Sequence, residues 1–498
     1  MAISSGGRMK NTWVPILLIF TLSISCNLLS TTGTPPSAGE STAEETSSAT
    51  IDVIPSGIPL SPTPETPTPV ITPAPTGFNP AGPYVLFSAE TGIWITNPDG
   101  SFPTQISDLV VGLNDLRQAL SPDGSQLALV SADETGLGLY LVGIPAGETI
   151  KIVHLLDLTS EDMMDATSPR SITSYALTGY SNVSWQPDDG RLLAFSGAVN
   201  GPTSDLYLYD SQTGDITQLT DGPSQAISPS WSPDGKYILH YGVSWVPPFG
   251  GAILGYNRFD GAWAVRMSDG KLINQPKPKG YHVNFVEWQD DSHYMIFDSD
   301  DTCYSVNLRN VEVTTGKAEP FMAWSFYYEI AQSPENKALL FSGAEGCASS
   351  PGVGLFLLPA GQTEPTLLSD KKAYEVRWLP ESGVFQAYPE ALFSSDGSMR
   401  YDPPVYDKSY QPAISKNGFQ AWEVIENQQG RVEVMVPGSD WHAIMNGLVD
   451  ELIWDPTNGD TLLISLEDGS LYAASYPDFT PRLMGDLGGR VNQAIWLP

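Results

Sequence analysis

From Tyr84 onward the chain alternates apolar and polar positions in short runs. Arg191-Leu192-Leu193-Ala194-Phe195 and Tyr237-Ile238-Leu239-His240 are two examples. Runs of this length with a period of two predict half-buried β-strands. What separates them is regular. In Trp231-Ser232-Pro233-Asp234-Gly235 an apolar run ends at Trp, Pro sets φ, and Asp-Gly supplies the turn. The unit predicted is a β-hairpin, and its Asp-Gly pair is read as a turn and not as a site.

A second hairpin follows most copies. Asp205-Leu206-Tyr207-Leu208-Tyr209-Asp210 runs through Thr213-Gly214-Asp215 to Ile216-Thr217-Gln218-Leu219. Gly92-Ile93-Trp94-Ile95-Thr96, Pro98-Asp99-Gly100 and Thr104-Gln105-Ile106-Ser107 repeat that order. Each unit therefore holds four short strands, A to D. The residues ending strand A stand at 120, 185, 231, 288, 332, 378, 414, 454 and 496, about 47 apart. Strand-rich repeats near this period read as propeller blades. Taken literally, nine anchors give nine blades. The ninth would be split, with Trp496 ending its strand A and residues 84–107 supplying strands B to D, which removes the exposed sheet edge. Ile414 is the weakest anchor, lacking Trp and Pro, and lies only 36 residues after the anchor at 378. Nine also exceeds the usual four to eight. The expectation is an all-β propeller of about eight blades, with seven or nine open.

Trp-Ser-Pro-Asp-Gly paired with Leu-Tyr-Leu-Tyr-Asp…Thr-Gly-Asp…Gln-Leu-Thr resembles the TolB-type propeller repeat, which is similar to the Trp-Asp propellers and those of prolyl oligopeptidases. The resemblance covers residues 84–498 and is closest over 84–240. It implies a fold and leaves function to sites grafted on it.

The N-terminus points to export. Arg8 and Lys10 precede an apolar stretch from Trp13 to about Ile24, a signal-peptide length too short for a comfortable membrane span. Ser25-Cys26 then resembles a bacterial lipoprotein processing site, which implies acylation of Cys26, although Ser23 stands where that pattern prefers Leu. An ordinary cleaved signal peptide or an uncleaved anchor is the alternative. The division expected is a signal peptide over 1–25, a tether over 26–82 and the propeller over 83–498. The tether is rich in Pro, Thr and Ser and holds no Lys or Arg. It cannot bury a core. A coil of about 55 residues spans roughly 40 Å, and an extended polyproline form about 170 Å. The chain is thereby expected to be exported and lipid-anchored to a bacterial membrane, facing the periplasm or the cell exterior.

Cys303 and Cys347 each lie six residues after a strand-B Phe, Phe297 and Phe341, in adjacent repeats. A disulfide between them and two free thiols both stay open. Two isolated Cys and five scattered His have no metal-ligand spacing, and Asp298-Ser299-Asp300-Asp301 lacks the ligand order of a helix-loop-helix calcium site. No metal or other cofactor is expected. With 57 Asp and Glu against 24 Lys and Arg, the net charge of −33 argues against nucleic acid and anionic lipid surfaces as partners.

Loop length carries the positional inference. A–B and C–D turns share one face of a propeller and are short here. The long inserts fall on the B–C and D–A side, and the richest holds Trp245, Phe249, Tyr256, Arg258 and Asp260. Aromatics with Arg suit a recognition surface; packing over the neighbouring blade is the alternative. No Gly-x-Ser-x-Gly elbow, His-Glu-x-x-His or phosphate-binding Gly loop occurs, so no catalytic residue is assigned. Two functions remain. One is a non-enzymatic, membrane-tethered monomer that binds a protein, peptide or glycan of the cell envelope on its long-loop face. The other is an envelope hydrolase or lyase at the mouth of the central channel. TolB has an additional N-terminal domain where this chain has a tether, so a Tol-system role does not transfer.

Overall fold

The computed structural model describes residues 79 and 81–497, apart from 111–115, 159–168, 247–255, 277–285, 301–304, 322–325, 335, 344–351, 372, 374, 380–382, 389–390 and 402–412. Among them, antiparallel strands group into nine blades. Blade 1 joins the two ends of the propeller. The last strand, β35 (Val491–Leu497), is its strand A, followed outward by β1 (Tyr84–Ala89), β2 (Gly92–Thr96) and β3 (Thr104–Ser107). Blade 2 has three strands, β4–β6 (126–157). Blades 3 to 9 are β7–β10 (183–218), β11–β14 (225–275), β15–β18 (286–320), β19–β22 (326–369), β23–β26 (375–401), β27–β30 (413–446) and β31–β34 (449–486).

The expected figure of about eight thus becomes nine, the upper end of the range, and the reason is local. At the weak anchor, Ser415 Oγ accepts from the amides of Asn417 and Phe419 at 3.2 and 3.1 Å, and Gly418 takes φ 79°. Ser232 does the same at the strongest anchor, accepting from Lys236 N and Tyr237 N at 3.1 and 3.0 Å. These two turns share the hydroxyl and a left-handed glycine, and the first of them forms without Trp or Pro. A second departure is in blade 2. Where strand A is expected, a short helix α1 (Leu116–Ala119) leads into one isolated bridge, Leu120 to Leu127. A longer helix, α2 (Pro169–Thr178), precedes blade 3.

Apolar side chains of the B and C strands pack blade against blade. Leu193 and Phe195 face blade 2, while Ala194 packs with Ile238 and Val265 of blade 4. The anchor indoles tie neighbouring blades together. Trp185 Nε1 donates to Ala119 O at 2.9 Å, Trp231 Nε1 to Ser184 O at 3.0 Å, and Trp454 Nε1 to Ala413 O at 3.0 Å. Trp288 Nε1 reaches Ser230 Oγ at 3.0 Å. Each acceptor stands one residue before the anchor of the preceding blade.

Candidate functional site

The long-loop face carries one element that outgrows its blade. β12 (Tyr237–Val246) and β13 (Tyr256–Arg266) are ten and eleven residues long, against six each for the corresponding β8 (Leu192–Gly197) and β9 (Asp205–Asp210). Their ladder continues past Gly242–Gly261, shifts register there, and runs on through Trp245–Asn257 to Val246–Tyr256. The segment anticipated as a loop is therefore a β-hairpin arm over much of its length. The two glycines make room for the Trp263 ring, which a Cβ would meet at 2.6 Å from Gly242 and 2.5 Å from Gly261.

At the bulge itself Asp260 fixes the arm. Its carboxylate accepts from Ser224 Oγ at 2.9 Å and from Ser244 Oγ at 3.0 Å, which ties both strands of the arm to the start of strand A. Arg258 Nη2 lies 3.4 Å from the same carboxylate, and 63% of its side chain is exposed. The structure therefore brings Arg258 and Asp260 together. Trp245 and Tyr256 are placed by their backbone pairing alone, and Phe249 lies outside the described residues, as do Cys26, Cys303 and Cys347.

Nearer the channel are charged residues that belong to no sequence motif. Glu451, in strand A of blade 9, is half-buried, and burial pushes its carboxyl up to about 7 against the opposing pull of Arg377 on strand A of blade 7. Beside it, Arg490 grips Asp450 at 3.0 Å and Glu467 at 2.7 Å, and Asp450 also accepts from Val491 N at 2.7 Å. This network spans the seam where blade 9 meets blade 1. Glu423 of blade 8 is buried, its pKa raised by burial, and accepts from Val449 N of blade 9 at 2.9 Å. The sequence signal for these groups is one of register. Val449-Asp450-Glu451 precedes an anchor, and only knowledge of which strand lines the channel gives it meaning.

The chemistry available is limited. Ser292, His293 and Asp290 come together in an A–B turn, but the hydroxyl and the carboxylate both meet His293 at Nδ1, each at 3.1 Å. One ring nitrogen cannot take a proton from the first while the other is oriented by the second, so the trio is not a relay. Among the described residues no group of three or more His, Cys, Asp or Glu could hold a metal ion, and no helix is long and apolar enough to cross a membrane.

Nine blades, closed by pairing the first and last strands, decide the fold. It is a β-propeller. No family model matches the chain. It is 26% identical over 229 residues to an uncharacterised protein of Agrobacterium fabrum, covering 45% of this chain and 68% of that one. A stretch of 55 residues is 44% identical to the uncharacterised peptidase YuxL of Bacillus subtilis, 11% of this chain and 8% of that enzyme. Among solved structures, a eukaryotic initiation factor superposes with a TM-score of 0.50 at 12% identity, over 84% of this chain and 98% of that one. TolB from Acinetobacter baumannii superposes with a TM-score of 0.31 at 14% identity, over 85% and 69%. These likenesses concern the fold.

Proposed function

We propose that the protein is a non-enzymatic recognition propeller that captures a protein or peptide partner on its long-loop face. The hairpin arm carries the proposal. A propeller blade needs no strand beyond its own sheet, yet β12 and β13 continue past the blade, are pinned there by Asp260, and present Arg258 to solvent. In sequence this arm and the segment it encloses carry Trp245, Phe249 and Tyr256, and aromatic residues are the usual anchors of a recognition surface. The N-terminal apolar segment and Cys26 support export and lipid anchoring, with the tether holding the propeller clear of the bilayer.

The experiment is crosslinking in intact cells with the full chain and with Trp245→Ala/Phe249→Ala. The wild type captures a defined partner. The double variant, folded to the same melting temperature, loses most of the captured species. Equal capture by both would remove the arm from the reading. Mass analysis of the mature N-terminus reports whether Cys26 is acylated. The competing reading, a hydrolase at the channel mouth, draws on Glu451, whose carboxyl is half-protonated near neutral pH and suited to acid–base work. It lacks a partner nucleophile among the described residues. A Glu451→Gln variant with undiminished capture separates the two.

A further inference from the structure

One register position recurs around the propeller with the same unsatisfied chemistry. Trp496 pairs with Val85, Trp185 with Leu193, Gln332 with Leu339 and Trp454 with Leu462. Three residues further along strand B stand Ser88, Ser196, Ser342 and Ser465. In blades 1, 3 and 9 the strand-A residue alongside is Gln493, Asn182 or Glu451. Strand alternation turns this position toward the next blade, as Ala194, two residues before Ser196, shows by packing against blade 4. The four serines are 2%, 0%, 0% and 1% exposed, and none of their hydroxyls has a hydrogen-bond partner among the described residues.

The same layer elsewhere shows what the position does. In blade 8 it holds Glu423, whose carboxylate crosses the seam to Val449 N of blade 9 at 2.9 Å. From the neighbouring strand A, Asn182 Oδ1 accepts from Ser228 N of blade 4 at 3.4 Å, and Gln493 Oε1 from Leu116 N of blade 2 at 2.9 Å. Long polar side chains here reach across to the next blade. Serine is two carbons shorter than glutamate, a shortfall of about one water diameter, ~2.8 Å. Buried hydroxyls are hydrogen-bonded in native proteins, and an internal water is the usual partner where the protein supplies none.

We propose that Ser88, Ser196, Ser342 and Ser465 each bind a buried water molecule in the seam between their own blade and the next, so that ordered water does in four seams what Glu423 does in a fifth. The waters form an inner polar layer, and blades of differing sequence can fit around them without direct side-chain complementarity.

A high-resolution crystal structure of the full chain tests this. One ordered water within hydrogen-bonding distance of each of the four serine oxygens is expected. Glu423→Ser gains a further water reaching Val449 N. Ser196→Ala and Ser342→Ala remove a partner from a bound water and lower the melting temperature by a few degrees each. Seams without water at the four serines would overturn the proposal. So would alanine variants that melt at or above the wild-type temperature, the result for a hydroxyl that was unpaired. Should an alanine variant fail to fold, Glu423→Ser still decides the matter: without a new water in its seam, the position has no affinity for one.

Discussion

At the scale of single residues, the anchor Trp and the turn Ser do different work. The Ser121 hydroxyl donates to Asp123 at 2.7 Å and, with the Ser125 amide and hydroxyl, holds that carboxyl below the usual range. These acids are committed to their turns, which is why the repeat's Asp residues are poor site candidates despite their number. The indole instead looks backward, toward the preceding blade. Trp231→Phe keeps most of the apolar contact and removes the donor to Ser184 O. It is expected to cost about 1 kcal/mol, the net worth of one buried hydrogen bond. Trp231→Ala adds a cavity and is expected to cost about 3–5 kcal/mol. Urea unfolding of both variants measures the two quantities; a Trp231→Phe variant as stable as wild type would mean that the indole N–H contributes nothing and packing does all of it.

At the scale of elements, the hairpins were legible because their turn chemistry is local. Trp-Ser-Pro-Asp-Gly marks where a strand ends whatever the rest of the chain does. The four-strand unit, the closure by β1 and β35, and an acid-rich, motif-poor character could all be read that way. What could not be read depends on distant partners. In blade 2 the place expected for strand A holds α1, whose Leu116 N donates to Gln493 Oε1, 377 residues away. The β12–β13 arm reads as a loop in sequence, since Pro247-Pro248 and Gly250-Gly251 interrupt the pattern between its two paired strands. Blades 5 and 6 hold a third case. The end of β17 (Ser305–Glu312) pairs at Val306 with Phe326 of β19 (Phe326–Gln332), and Phe326 pairs in turn with Gly343 of β20 (Leu339–Gly343), which fuses two blades into one eight-stranded sheet. Cys303 and Cys347 lie three residues before Val306 and four after Gly343 in sequence. Neither cysteine is among the described residues, but in sequence each lies within a few residues of a strand of this one sheet. We therefore propose the disulfide. It closes a loop of about 44 residues, worth about 4 kcal/mol in the chain-entropy account. Peptide mapping without reduction should recover the linked pair, and Cys303→Ser should lower stability by a comparable amount; two alkylatable thiols in the exported protein would exclude it.

At the scale of the whole molecule, two groups in different seams set opposing dependences on pH. His240 is buried in blade 4, its ring stacked 5.6 Å from that of Trp263, and burial pushes it down to about 4. Between about pH 6.5 and 4 the unfolded chain takes up a proton there and the folded chain does not. Stability is therefore lost as pH falls through that window, by up to about 3 kcal/mol. Glu451 has the reverse sign. Folded, it keeps its proton up to about 7; unfolded, it releases it near 4.5. Its contribution is fully present below the unfolded value and is lost as pH rises through 7, by an amount somewhat smaller because the group is half-buried. Between about pH 4.5 and 6.5 the two slopes oppose, and their sum is nearly flat. Each variant exposes the other. Glu451→Gln removes the falling limb, so its stability relative to wild type should increase from pH 5 to pH 7. His240→Leu removes the rising limb, so its advantage over wild type should be largest near pH 4–5 and vanish above 7. The urea midpoint of each variant minus that of wild type, followed from pH 4 to 8, isolates these terms from the many exposed carboxylates common to all three proteins. The two difference curves should cross the same interval with opposite signs of slope; parallel curves would show that neither buried group titrates as its surroundings require.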